Sequence, residues 1–187
     1  MRWRVNREFP VLLASAAPVT IAFSWQHVIA SLGDDSVSYL TLARYLSPLS
    51  SDALAAPWAK HHANFPPLFP LFLAFTGGTY SLLAAHLAVG VCALGALCLV
   101  YLYAERHLGG PRRGALVALL FLLTPSAWVS VRGILSEPLF LALSLAALVF
   151  HERHLAMDRG KAALLAFGAL MAAAYITRIA GIALIAG

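Results

Sequence analysis

Apolar residues along this chain gather into long unbroken runs instead of alternating with polar ones. Residues 11–32 form the first run, and residues 33–64, the longest polar stretch, follow it. Residues 65–75 are apolar but too few to cross a bilayer, which takes about twenty helical residues, and Gly77-Gly78 closes them. Further helices are predicted at 80–104, 114–131, 137–150 and 162–177, with a last apolar run beginning at Ile179. Gly109-Gly110-Pro111 marks a turn after the second of these spans. The first run is too long for the apolar core of a signal peptide, roughly 7–15 residues, so it reads as a retained helix.

Composition narrows the fold class. Of the 187 residues, 61% are hydrophobic and 11% charged, with a mean hydropathy of +0.81. A soluble domain is nearer a quarter charged, and this chain could not cover its surface with polar groups in water. Lipid leaves no backbone polar group unpaired, so the choice lies between helices and a closed barrel. Barrel strands alternate over about ten residues, whereas these runs are apolar on every face. The expectation is an all-α bundle in one transmembrane domain, 1–187, with about five spans and the start of a sixth. Interfacial helices are expected in an external loop, 33–79.

Charge then supplies orientation. Nine of the thirteen Lys and Arg residues (Arg2, Arg4, Arg7, Arg106, Arg112, Arg113, Arg153, Arg159 and Lys161) fall on one side if the helices alternate. Arg44, Lys60, Arg132 and Arg178 fall on the other. Positive charge marks the cytoplasmic side, so the expected location is a cytoplasmic (inner) membrane with the N-terminus inside. The basic residues are scattered without interleaved aromatics, which argues against a nucleic-acid partner. Cys92 and Cys98 share one run at a spacing that puts them on different helix faces, and they read as small packing residues. His27 and His86 lie in apolar spans and read as packed or water-bridged side chains.

Four segments on the outer side carry chemistry. Gly33-Asp34-Asp35-Ser36-Val37-Ser38-Tyr39 sets two carboxylates beside a span, suited either to capping a short helix or to accepting a proton from a hydroxyl. On that helix Asp35, Tyr39, Leu42 and Leu46 would share a face. Lys60-His61-His62-Ala63-Asn64-Phe65-Pro66-Pro67 reads as a rigid loop returning to the membrane, or as stiff support for a site in which Lys60 and His62 face an anion. Adjacent histidines do not have a zinc spacing. Arg132-Gly133-Ile134-Leu135-Ser136-Glu137-Pro138 puts a carboxylate in a first helical turn, where it favours the dipole or serves a partner. Arg178, between two apolar runs, is a snorkelling anchor or a clamp for a lipid phosphate.

In order and spacing, GDDSVSYLTLARYL, NFPPLFPLFLAF, LSEPLFLALSLAALVF and YITRIAGIAL resemble the GT-C superfamily of membrane glycosyltransferases. The likeness is to its bacterial branch related to protein O-mannosyltransferases (glycosyltransferase family 39) and the lipid A aminoarabinose transferase. The resemblance covers almost the whole chain and implies the N-terminal part of a longer catalytic module that, taken alone, could lack activity. It implies transfer of a sugar, with inversion, from a polyprenyl-phosphate donor to a glycan, lipid or protein acceptor outside the cytoplasmic membrane. Asp35 stands where such enzymes carry a leading acid, as the general base, although Ser36 replaces the usual glutamate. Asp34 and Glu137 would position the acceptor or an optional divalent ion, for which Asp34 and Asp35 are the candidates. Arg178, with Arg132, Lys60 and His62, would steady the donor phosphate. The rival readings are a transporter, whose charges usually sit nearer mid-bilayer on broken helices in repeated halves, and a non-catalytic polytopic protein whose acids serve as caps.

Overall fold

The computed structural model describes residues 7–29, 35–48, 55–61, 64–152, 160–181 and 183. Among them the regular structure is helical throughout: α1 (Glu8–Ser24), α2 (Asp35–Leu46), α3 (Ala55–His61), α4 (Leu68–Phe75), α5 (Leu82–Leu108), α6 (Pro111–Leu122), α7 (Pro125–Arg132), α8 (Glu137–Phe150) and α9 (Gly160–Thr177), with a 3-10 turn at Ile179–Gly181. The all-α expectation holds for these residues.

The long helix α5 is the organising element. Ser81 caps its start by accepting from the Ala84 N–H, and Gly109 ends it at φ 74°, a left-handed conformation that glycine adopts without strain. Pro111, whose fixed φ suits a first helical position, then starts α6. The hairpin closes tightly because Gly114 presses against Glu105. A Cβ at position 114 would lie 2.9–3.0 Å from the Cβ, Cα and N of Glu105. α1 crosses α5 with Gly90 against Ser24, so a small residue again sets the approach of two backbones. α8 runs alongside α5 in the same direction, so that the two helices finish together at Glu152, Arg106 and His107, and α9 packs on α8.

Two helices, α5 and α9, are long and apolar enough to cross a membrane, with mean hydropathies of 2.3 and 1.5 over their most apolar windows. α1 and α8 are apolar but have only 17 and 14 residues. At 1.5 Å per residue α8 is about 21 Å long, short of the roughly 30 Å hydrocarbon layer.

Two expected helices differ from the structure. The single helix predicted over 114–131 is broken into α6 and α7, bent by 58°. Pro125 lacks the N–H needed to continue the ladder and pushes Thr124 to an extended conformation, φ −75° and ψ 127°. The helix predicted over 11–32 begins earlier, at Glu8, and ends at Ser24, after which Trp25 turns out of helical geometry with ψ 71°. Of the expected final run, residues 179–181 form the 3-10 turn. Its Gly181 folds so closely onto α9 that a Cβ there would lie 2.6 Å from the Tyr175 Cα.

Two apolar clusters hold the described fold. One joins α2, α4 and the start of α5 through Tyr39, Leu40, Ala43, Phe69, Leu73, Ala85 and Val89, together with Ile134. The other joins α1, α5 and α6 near the opposite end through Leu12, Ala16, Leu97, Tyr101 and Ala118. The first cluster fixes the helices that carry the candidate site.

Candidate functional site

The candidate residues meet where α2, the turn between α7 and α8, and the end of α9 come together. Asp35 is the first residue of α2, so its carboxylate sits at the favourable end of the helix dipole. It is exposed. The buried residues of α2 are Ser36, Ser38, Tyr39, Leu40, Leu42 and Ala43; of the four residues expected to share a face, Tyr39 and Leu42 are buried, Leu46 is half-buried and Asp35 is exposed. The helix is rotated to aim Ser36 inward and leave Asp35 in solvent.

That rotation ties α2 to the segment before α8. The Ser36 hydroxyl donates to the Gly133 carbonyl. The Tyr39 and Ser136 hydroxyls share a hydrogen bond of 3.0 Å. Tyr39 is held upright by edge-on contacts with Phe65 and Phe69, at centroid distances of 5.1 and 4.8 Å. The Asn64-Phe65-Pro66-Pro67 segment and α4 thus form a rigid wall behind it. Between the two hydroxyl contacts, Ile134 takes φ 49°. A β-branched residue rarely occupies that region, and the cost of about 1–3 kcal/mol is carried by its full burial in the core. The turn delivers Glu137 at the head of α8.

Arg178 follows the last residue of α9, and its guanidinium forms an ion pair with the Glu137 Oε1. Both side chains stay partly open to solvent, 37% for Arg178 and 45% for Glu137. The second carboxylate oxygen, Oε2, is shielded and has no donor among the described residues. Burial pushes the Tyr39 hydroxyl above the ordinary tyrosine value. The Ser136 hydrogen bond pulls the other way, the negative charges of Asp35 and Glu137 raise it further, and Arg178 offsets them in part. One phenol therefore feels Asp35, Glu137 and Arg178 together.

Arg132 ends α7 and is exposed, and Lys60 is exposed on α3, which packs on α2. Asp34 and His62 lie outside the described residues. Among the described residues no three His, Cys, Asp or Glu side chains converge to hold a metal, and Asp35 by itself does not make a cation site. Ser36, Ser136 and Ile134 are structural parts of the site that sequence reasoning missed. The adjacency of Ser136 to Glu137 was the one available signal. Cys92 is buried and Cys98 half-buried on α5, both as free thiols.

A cavity of about 280 Å³ opens beside Glu137, lined by Thr20, Leu97, Phe121, Trp128, Phe140 and other mostly apolar groups of α1, α5, α6, α7 and α8. At the far end of α8, Glu152 pairs with Arg106 at 3.3 Å and with His107 at 2.9 Å, joining the ends of α5 and α8. The acid–base group of the site and this second ion-pair cluster therefore occupy opposite ends of α8.

No protein-family model, curated protein or solved structure matches this chain.

Proposed function

We propose that the chain forms part of a polytopic glycosyltransferase of the cytoplasmic membrane, transferring a sugar from a polyprenyl-phosphate donor to an acceptor hydroxyl at the outer face. The observation that carries this reading is the convergence of Asp35, Glu137 and Arg178 on Tyr39 from three distant segments. Two carboxylates and a guanidinium at one end of an apolar bundle suit a reaction that removes a proton and releases a phosphate.

In this reading the acceptor oxygen attacks the anomeric carbon while the bond from that carbon to the phosphate oxygen breaks, inverting the centre. The hydroxyl proton passes to the Asp35 carboxylate, which is exposed and so open to an acceptor. The electron pair of the breaking bond stays on the phosphate. Arg178, which gives one nitrogen to Glu137, has further N–H groups with which to meet that growing charge. Glu137 orients Arg178 and the acceptor. Arg132, Lys60 and His62 are secondary contributors to phosphate binding, and no step is routed through a metal. The apolar cavity beside Glu137 suits a hydrocarbon portion of a lipid substrate.

In the same proposal α1, α5, α6–α7, α8 and α9 are the five crossings, the shorter ones sitting where the bilayer thins or other protein covers them. The side with nine basic residues is cytoplasmic. Radiolabelled polyprenyl-phosphate sugar offered to the purified full-length protein in detergent tests the reading. Saturable binding weakened by Arg178→Met, with transfer lost in Asp35→Asn, is the expected result. Undiminished turnover in Asp35→Asn removes Asp35 as the base, and absence of binding contradicts the donor class.

A further inference from the structure

The break between α6 and α7 does more than bend a helix. Residues on both sides of it, Phe121 before and Trp128 after, line the cavity of about 280 Å³ beside Glu137. Ser126, at the start of α7, lines the cavity and is exposed, so the cavity opens to its surroundings at the break. Trp128 is fixed in the wall. Its indole N–H donates to the Leu122 carbonyl across the broken turn, and its ring lies 4.5 Å from that of Phe23 on α1.

The polar groups of this wall are nearly all of one kind. Arg178 holds the Glu137 Oε1, while Oε2 is shielded from solvent and has no donor among the described residues. A shielded carboxylate oxygen without a donor is costly to the fold. The Thr20 and Ser130 hydroxyls spend their protons on the Ala16 and Ser126 carbonyls, leaving only lone pairs to offer. The Trp128 N–H is spent on Leu122. Apart from Ser126 at the mouth, the side chains of the wall accept hydrogen bonds and give none.

Such a wall selects its occupant. A phosphate head brings acceptor oxygens and a negative charge, and Glu137 repels both. An ammonium head competes with Arg178 for the same carboxylate. A neutral hydroxyl brings the one proton that Oε2 lacks, and the apolar remainder of the wall, Leu97, Phe121 and Phe140 among it, suits an aliphatic chain. The volume is about twice that of an apolar cavity of roughly 150 Å³ that takes up benzene, so it holds a chain of about ten to twelve carbons.

We propose that this cavity is a binding site for a hydroxyl-headed lipid, whose aliphatic chain lies among α1, α5, α7 and α8 and whose hydroxyl donates to the Glu137 Oε2. This goes beyond the sugar-transfer reading and stands whether or not that reading holds, because it concerns binding alone.

The test uses the full chain in nanodiscs of dimyristoyl phosphatidylcholine, a lipid with no hydrogen-bond donor of its own. With Trp3→Phe, Trp25→Phe and Trp58→Phe, Trp128 is the one tryptophan left to report. 10-Bromo-1-decanol is expected to quench it saturably, and unbrominated decanol to reverse the quenching. 1-Bromodecane, of the same chain without the hydroxyl, should bind about tenfold more weakly, the effect of one hydrogen bond to a charged group. Glu137→Met should abolish that preference, and Ala93→Phe, which fills the cavity, should abolish saturable quenching by either probe. Farnesol and a ten-carbon monoacylglycerol as competitors tell an isoprenoid chain from an acyl one, and displacement by neither overturns the lipid class. Equal affinity for bromodecanol and bromodecane, or quenching that grows linearly and is not reversed, overturns the site. Decylammonium or decyl phosphate displacing the probe more readily than decanol overturns the hydroxyl head. Displacement of radiolabelled decanol from the wild-type chain reads the same preferences should the substituted chains fail to fold.

Discussion

The Arg178 guanidinium grips the Glu137 carboxylate across the gap between the end of α9 and the head of α8. Helices α8 and α9 lie antiparallel, so the finish of one and the start of the other share an end of the bundle, and the pair locks them there. Because both side chains are more than a third exposed, solvent screens the attraction. Arg178→Met should cost no more than about 1 kcal/mol of stability, seen as a small shift in thermal unfolding in detergent. Removing a phosphate clamp should instead slow transfer by roughly 10²–10³. A large loss of stability with transfer intact would make the pair a structural tie.

Tyr39 should report on the site through its own titration. Burial raises its folded-state pKa above the unfolded value of 10.0, with Asp35 and Glu137 adding to the rise. A raised pKa means that the folded state holds the proton more tightly. The associated stability is therefore full below pH 10 and is lost as pH rises through 10 toward the folded value. Spectrophotometric titration of tyrosinate should show one late-ionising residue that disappears in Tyr39→Phe. Asp35→Asn should lower its midpoint, and an unchanged midpoint would mean that Asp35 does not act on Tyr39. Tyr39→Phe should also cost about 1 kcal/mol through the hydrogen bond lost to Ser136.

The α5–α6 hairpin depends on a missing side chain. Gly114→Ala would place a Cβ against the backbone of Glu105, which cannot rotate away as a side chain could. The expected loss is about 1–3 kcal/mol. Gly95→Ala on α5 is the matched control, since nothing lies within 4 Å of a Cβ there. It should be neutral or stabilising by up to about 1 kcal/mol. Equal unfolding temperatures for the two variants would show that the Gly114 contact is not tight.

Much of the fold was legible where local chemistry decides it. Ser136-Glu137-Pro138 announced the start of α8 and His151-Glu152 its end, both as found. Asp35 and Leu46 bounded α2 as expected, and Gly109-Gly110-Pro111 turned α5 into α6. The end of α1 was not legible, because Trp25-Gln26-His27-Val28 contains no glycine or proline and its turn depends on packing. The break at Thr124-Pro125 was written in the sequence, but a long apolar run outweighed it. For the site, the acids and Arg178 were legible as charges out of place in apolar surroundings. The hydroxyl ties were not, since whether Ser36 faces Gly133 depends on the rotation of α2, which only the packing of Tyr39 on Phe65 and Phe69 fixes.

The sugar-transfer proposal requires Asp35, Glu137 and Arg178 to share one face of the membrane, opposite Arg106 and Glu152. Cysteine accessibility measures that directly. In a Cys92→Ala, Cys98→Ala background, single Asp35→Cys, Glu137→Cys, Arg106→Cys and Glu152→Cys variants are treated with a membrane-impermeant thiol reagent on intact cells and on inverted vesicles. Labelling of positions 35 and 137 from outside, and of 106 and 152 from inside only, is the predicted result. Labelling of position 137 from the face opposite to position 35 would contradict the shared site and the sugar-transfer proposal with it.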